Sequence, residues 1–533
     1  MRSSAINSPT IRKPAYNNGY LLAAIVVLLL GMALGTPRVR QFPAYIHAWA
    51  QADRYALAIG FTENGHDLFH PQTMIYNKQF PHKWTVDNGS TVTAVDFPLH
   101  EYVIGWLMCL FGTTAPWVFR GFTLLVSLVG LWLLFLLARR LTGDFFKALL
   151  VTVVALTSPL YVYYFNNYLP SAPSLTLSIA ALWAYIKYYK EGRRGCWHIA
   201  IALVALATLI RSSQAILLIA LCVFEVLRIL WRWKKERGNM RAEVSKLLSP
   251  LLAAVAVVGY MLWNGHLREA YGSLFLNYLM PPRSWEDVRT VFDEIHWHWR
   301  FDYFSRLQHW IVAVVCVAAV VVLIARKRGG EELSLGWLAG IWWLGEVCFF
   351  VAMFRQYQNH DYYFLDTFFL PILLTFVLAL RALPPVKGHL PMLVAAVLLV
   401  LLGGVMYNEA RHKVADRCWD GDRAYICAQH FADADRWLDD VGIPRDAKLL
   451  AFLAYPQNSP FIQMQRKGYT LMMYDENIVN AVRKFPFDYI VVENEVWAQF
   501  LDEHPEDEFC RTTERVADNG TLSLLLYHTD VNP

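Results

Sequence analysis

Charge is what this sequence has least of. Only 17% of its 533 residues are Asp, Glu, Lys or Arg, against 56% hydrophobic and 15% aromatic residues. Ordinary soluble domains carry about a quarter of their residues charged, so a soluble globular chain is excluded. The net charge of +4 is small and collects in particular loops. It therefore speaks to membrane orientation and gives no reason to expect a nucleic-acid partner. Cysteine is sparse too, at eight, five of them in or beside apolar runs, where a small buried thiol is the default. Cys418 and Cys427 share the segment "CWDGDRAYIC", where a disulfide and two free thiols both remain open.

Other signals are missing. The first apolar run has no clean small-residue cleavage site in "GMALGTPRVR", which favours a retained helix over a signal peptide. The tail has no Gly-rich phosphate loop and no nucleophile triad. His66, His70 and the "HWHW" run from His296 lack a third and fourth ligand at a diagnostic spacing. No metal and no cofactor is expected, and a divalent metal is not indicated. No pair of matching halves with broken apolar segments is visible, which weighs against a transporter.

What is there is a series of apolar runs from residue 20 to about 407, such as "YLLAAIVVLLLGMALG" and "WIVAVVCVAAVVVLIA". Each approaches or reaches the length that crosses a bilayer as a helix. Lipid-exposed backbone must satisfy its own hydrogen bonds, so the class is an all-α polytopic membrane bundle. Basic clusters at "RKPAY", "ARRLTGDFFK", "KYYKEGRRG", "WRWKKERGNMR", "ARKRGG" and "RALPPVK" mark the cytoplasmic loops. About eleven helices follow, with the N-terminus inside and the C-terminus outside.

The expected division is a membrane domain over 1–407, with a large first exterior loop at 37–114, and an exterior domain over 408–533. Residues 266–306 form a further exterior segment. In the tail, "AKLLAFLAY", "YTLMMY", "DYIVVEN" and "LSLLLYHT" alternate with helix-like runs, the pattern of a small α/β domain. A lid or partner-docking unit without chemistry of its own is the plain reading of that domain.

The first loop carries the least expected charge. Asp53 and Arg54 stand in the mostly apolar "WAQADRYALAIGF". That segment and "PLHEYVIGWLMCLFG" read as helices lying at the membrane surface. By periodicity alone Asp53 is a solvated acid paired with Arg54.

The order of these elements resembles the membrane-embedded GT-C type glycosyltransferases that use polyprenyl-phosphate sugars. The shared pattern is a first span, an exterior loop with an acid in a surface helix, "DFPLHEYVIGWLMCLFG" leading into a second span, and the later "NHDYYFLDTFFLP". The nearest patterns are the lipid A aminoarabinose transferases and the protein O-mannosyltransferases. The resemblance implies that Asp53 activates the acceptor nucleophile while a polyprenyl phosphate leaves, with inversion at the sugar carbon. Two positions depart from it. Asp96 in "DFP" stands where the lipid A branch has Lys before Pro-Pro, and Ser171 stands where many relatives have Asp. These bear on the lipid A substrate more than on the donor class.

A leaving phosphate needs a cation. Arg211 in "LIRSSQ" and Arg355 in "FRQYQNHDYY" are the candidates, since guanidinium grips phosphate with two donors, although either serves equally as an interfacial anchor. His360, Tyr362 and Tyr363 crowd the same end, as donor contacts or as a tyrosine anchor. Asp96 and Glu101 are the next acids after Asp53. Glu346 is an acid within a span. "NGS" at Asn88 and "NGT" at Asn519 match glycan acceptor triplets.

The expected function is transfer of a sugar from a polyprenyl-phosphate donor to a surface glycan, lipid or protein acceptor on the exterior face. The expected location is a bacterial inner membrane, with the N-terminus cytoplasmic and the C-terminal domain outside. A non-catalytic sugar-lipid binder and a transporter are the alternatives.

Overall fold

The computed structural model describes residues 18–81, 84–236, 245–275, 278–326 and 331–528. The basic run at 12–16, and parts of those at 231–241 and 325–330, lie outside the described residues.

Among the described residues, seven helices are long and apolar enough to cross a bilayer: Gly19–Arg38, Pro116–Thr142, Ser212–Trp231, Ser245–Tyr271, Arg306–Ala325, Leu335–Ala352 and His389–Asp416. Four shorter apolar helices accompany them, Leu99–Phe111, Phe145–Leu156, Arg194–Ile210 and Phe369–Ala382. Helix Ser245–Tyr271 turns Leu251, Val255 and Leu262 outward, the apolar exterior that lipid solvates. The chain is an integral membrane protein with a polytopic helical bundle.

Helix Ser171–Glu191 is long but rich in hydroxyls. It packs inside the bundle between Pro116–Thr142 and Arg194–Ile210, where Thr176 donates to the Val126 carbonyl and Ser178 to Gln214 Oε1. Burying a hydroxyl without a partner is costly, and these two have partners.

The last long helix runs to Asp416, nine residues past the expected end of the membrane region, because its final turns gain polar partners. Lys413 and Arg417 both ion-pair Asp302. Beyond it lies a five-stranded sheet of β1 (Leu449–Phe452), β2 (Gly468–Leu471), β3 (Tyr489–Glu493), β4 (Thr513–Asp518) and β5 (Leu522–Tyr527). Its order is β2-β1-β3-β5-β4; β1 pairs parallel with β2 and β3, and β5 pairs antiparallel with both β3 and β4. The four β-rich runs of the tail are four of these strands. Strand β4 was not foreseen, since "TERVAD" is mostly polar and exposed. The expected α/β unit is present.

The first loop fastens this sheet to the bundle. Ile75 pairs parallel with Gly468 at the edge of β2. Gly468 donates to the Met74 carbonyl at 3.0 Å, and Tyr76 donates to the Gly468 carbonyl at 2.9 Å. A side chain at 468 would begin 1.8 Å from the Leu449 carbonyl oxygen, so glycine permits the close approach of β2 to β1 at this point.

Only one of the two expected surface helices stays at the surface. Leu99–Phe111 exposes Trp106, Leu110 and Phe111, but in Ala48–Glu63 the residues Ala52, Ala56 and Leu57 have no exposed area. The α/β unit supplies the cover. Ala48–Glu63 packs between Leu99–Phe111 and the short helix Ser459–Met464, so "ALAIGF" buries against protein instead of lipid. A Cβ at Gly60 would lie 2.1 Å from the Gln72 carbonyl oxygen, which shows how closely the loop backbone crosses it.

Candidate active site

A cavity of about 630 Å³ opens where the bundle, the first loop and the α/β unit meet. Asp53, Asp96, Arg211, Asp366 and Tyr455 stand in its wall, with His360, Tyr362 and Tyr363. Five of the expected residues therefore surround one space together with the acid Asp96. Arg355 is not among the lining residues. Its nearest acid is Asp287, with Nε 4.0 Å from Oδ2. Although close in sequence to His360, Arg355 lies in a 3-10 turn, Phe354–Gln358, whose next residue, Gln356, reaches the cavity instead.

Asp53 has no exposed surface. Gln457 Nε2 donates to its Oδ1 at 3.0 Å and Asn458 Nδ2 donates to the same oxygen at 2.8 Å. Its Oδ2 is buried without a hydrogen-bond partner. Burial pushes the carboxyl up to about 7, against the two amides and the nearby Arg54 charge. The solvated Asp53–Arg54 pair is not what forms. Successive helical residues point about 100° apart, and Arg54 turns the other way, placing Nη1 3.2 Å from Glu101 Oε1 and Nη2 3.0 Å from Asp96 Oδ2. Glu101 is fully buried behind this pair and away from the cavity lining, and burial raises its carboxyl above the usual range.

Across the cavity, Arg211 Nε donates to Asp366 Oδ2 at 2.9 Å, and its Nη1 lies 3.9 Å from Asp96 Oδ2. Its guanidinium sits 5.0 Å from the centre of the Tyr362 ring, a cation–π distance. Arg211 ends helix Arg194–Ile210 in an extended conformation, which throws the side chain off the helix and into the space.

His360 stacks on His47 at 5.5 Å. Burial lowers it to about 4, so it is neutral at pH 7 and acts through hydrogen bonds, not charge. Beside it, His47 Nε2 lies 3.0 Å from Asp361 Oδ1, while Tyr164 and Arg417 donate to Asp361 at 2.6 Å each. Burial alone would raise the Asp361 carboxyl, but Arg417 and His47 reverse it and hold it well below the usual carboxylate range.

Other candidates stand apart. Glu346 accepts from Trp342 Nε1 at 2.7 Å. His66 stacks on Trp106, His70 pairs with Asp67, and His296 bonds Arg300. Among the described residues no three His, Cys, Asp or Glu side chains gather as metal ligands. Cys418 and Cys427 are free thiols. Asn519 is exposed and Asn88 half-buried. Ser171 starts helix Ser171–Glu191 and is buried.

Three groups were not singled out in the sequence. Asp366 lies five residues after Asp361 in the tyrosine-rich segment, and an acid in so apolar a run was the available signal. Gln457 and Asn458 sit in "YPQNSP", where two amides between prolines after a β-rich run hint at an ordered loop. Arg417 had only its place beside Cys418.

The chain has the fold of the membrane-embedded GT-C type glycosyltransferases and resembles them in sequence over one segment. That segment, residues 95–263, matches the family described as dolichyl-phosphate-mannose-protein mannosyltransferase. It includes Asp96, Glu101 and Arg211 and leaves out Asp53. Among solved structures, arabinofuranosyltransferase AftD from Mycobacteria superposes with a TM-score of 0.57 at 14% identity, over 98% of this chain and 40% of that one. The Archaeoglobus fulgidus oligosaccharyltransferase in its apo form gives 0.53 at 10% identity, over 90% of this chain and 70% of that one. No curated protein matches in sequence.

Proposed function

We propose that this chain transfers a sugar from a polyprenyl-phosphate donor to an acceptor hydroxyl on a surface glycan, lipid or protein, at the exterior face of the membrane. One observation carries this reading: a single cavity at one end of the bundle has Asp53 in one wall and Arg211 in another. The family matched over 95–263 is described by a dolichyl-phosphate sugar donor, and the two fold neighbours are named as transferases of sugars. The location proposed is a bacterial inner membrane, with the unit over 408–533 outside.

Asp53 is the general base. Its Oδ2 takes the acceptor proton as the acceptor oxygen forms its bond to the sugar carbon. The bond from that carbon to the donor phosphate breaks, the phosphate oxygen keeps the electron pair, and the configuration inverts. A base that titrates near 7 combines a useful ionised fraction with real proton affinity at neutral pH. Because Oδ2 is sealed from solvent in this structure, an acceptor reaches it only when a wall side chain moves.

Arg211 faces the phosphate, with Tyr362, Tyr363 and neutral His360 beside it. Asp366 and Asp96 hold the guanidinium in place until the donor enters. The test uses purified protein with synthetic polyprenyl-phosphate hexoses and pentoses, a cell-envelope acceptor extract, and chromatography of released polyprenyl phosphate. Sugar-dependent release supports the reading. No release or transfer with any donor, from folded protein, rejects it.

A further inference from the structure

The loop that ends at Asn458 follows the carboxyl end of β1, the edge at which open α/β sheets present their binding loops. Here it presents two amides to an acid of another part of the chain. Neither amide is free to turn over. Trp84 Nε1 donates to Gln457 Oε1 at 3.2 Å, and the Met74 backbone N–H donates to Asn458 Oδ1 at 3.2 Å. With both carbonyl oxygens occupied by donors, both NH₂ groups must point at Asp53 Oδ1.

Resting on the assignment of Asp53 as the base, we propose that Gln457 and Asn458 are positioning residues: their amides hold Oδ1 of the carboxylate and reserve Oδ2 for the acceptor proton. The plain alternative is that the amides only glue the α/β unit to the first loop. It leaves the one-sided arrangement unexplained. Both donors converge on the same oxygen, and the partner oxygen stays bare although it is equally buried. A contact serving adhesion alone gains more by satisfying both oxygens, because a buried acceptor without a donor costs stability. An acid meant to receive a proton needs one oxygen fixed and the other left without a donor.

The donors also favour the charged form, opposing the burial that raises Asp53. Their loss therefore shifts its titration as well as weakening a contact. Trp84 and Met74 belong to the first loop, so the same loop that docks the sheet also sets the direction of the two amides.

The test is infrared difference spectroscopy of the full-length protein in nanodiscs, following the protonated carboxyl band that disappears in Asp53→Asn. Wild type is expected to titrate near 7. In Gln457→Met and Asn458→Leu, each folded by thermal melting, the midpoint should rise by about one pH unit or more, the size of one charge-assisted hydrogen bond. An unchanged or lowered midpoint in both folded variants overturns the proposal, as does the absence of any Asp53 band titrating between pH 4 and 9. The result is independent of turnover. If the midpoints rise but Asp53→Asn still transfers sugar, the positioning stands as geometry and the base assignment fails.

Discussion

Arg54 and Asp53 are neighbours in one helix that serve opposite walls of their surroundings: Arg54 binds Asp96 and Glu101, while Asp53 is held by Gln457 and Asn458. The acid thus makes no direct ion pair with its adjacent cation, whose charge only opposes the rise that burial causes, and each residue has a separate consequence.

Arg54→Ala should destabilise the protein by about 3 to 5 kcal/mol, because Glu101 would be left buried and charged without its partner. Thermal unfolding in detergent should show a clearly lower midpoint. Adding Glu101→Gln should restore part of the loss, since the stranded charge is then gone.

Arg211→Ala should weaken donor use by about 1.5 to 3 kcal/mol, the size of a charge-assisted contact removed from a partly dry site. Arg355→Ala and Lys187→Ala should do much less. Arg355 lies off the cavity lining, and Lys187 stands near the opposite end of helix Ser171–Glu191, over Trp183. Initial rates against donor concentration will rank the three, and equal small effects would reduce Arg211 to an interfacial anchor.

Activity should rise with pH through about 7 as Asp53 ionises, and level off above it. Stability runs the other way. The folded carboxyl binds its proton more tightly than its ordinary value of 3.8. Its favourable contribution is therefore complete below that pH and lost as pH rises through about 7. Asp53→Asn should accordingly gain stability relative to wild type between pH 5 and pH 8, measured by paired melting curves.

Much of the fold was legible because its signals are local. Apolar run length sets the spans, and β-rich runs in the tail set four strands. The fate of "ALAIGF" was not legible, because whether an apolar face meets lipid or protein depends on a unit some 400 residues away in the chain. The same distance hid Gln457 and Asn458, whose role exists only once Met74 and Trp84 fix their orientation. Arg355 misled for the opposite reason: proximity in sequence to His360 did not survive the turn at Phe354–Gln358.

A reporter fused after Pro533 should behave as exported, following the basic loops. A cytoplasmic readout there would put the cavity on the wrong side for an exterior acceptor.

The most direct measurement is transfer by purified Asp53→Asn with a donor that wild type uses. The variant keeps the side chain's size and can still accept from Gln457 and Asn458, but loses the charge and the basicity. The account predicts a folded protein that binds donor and whose turnover falls by a hundredfold or more, the scale of a general base. Turnover near the wild-type rate would contradict it and move the search for the base to Asp96.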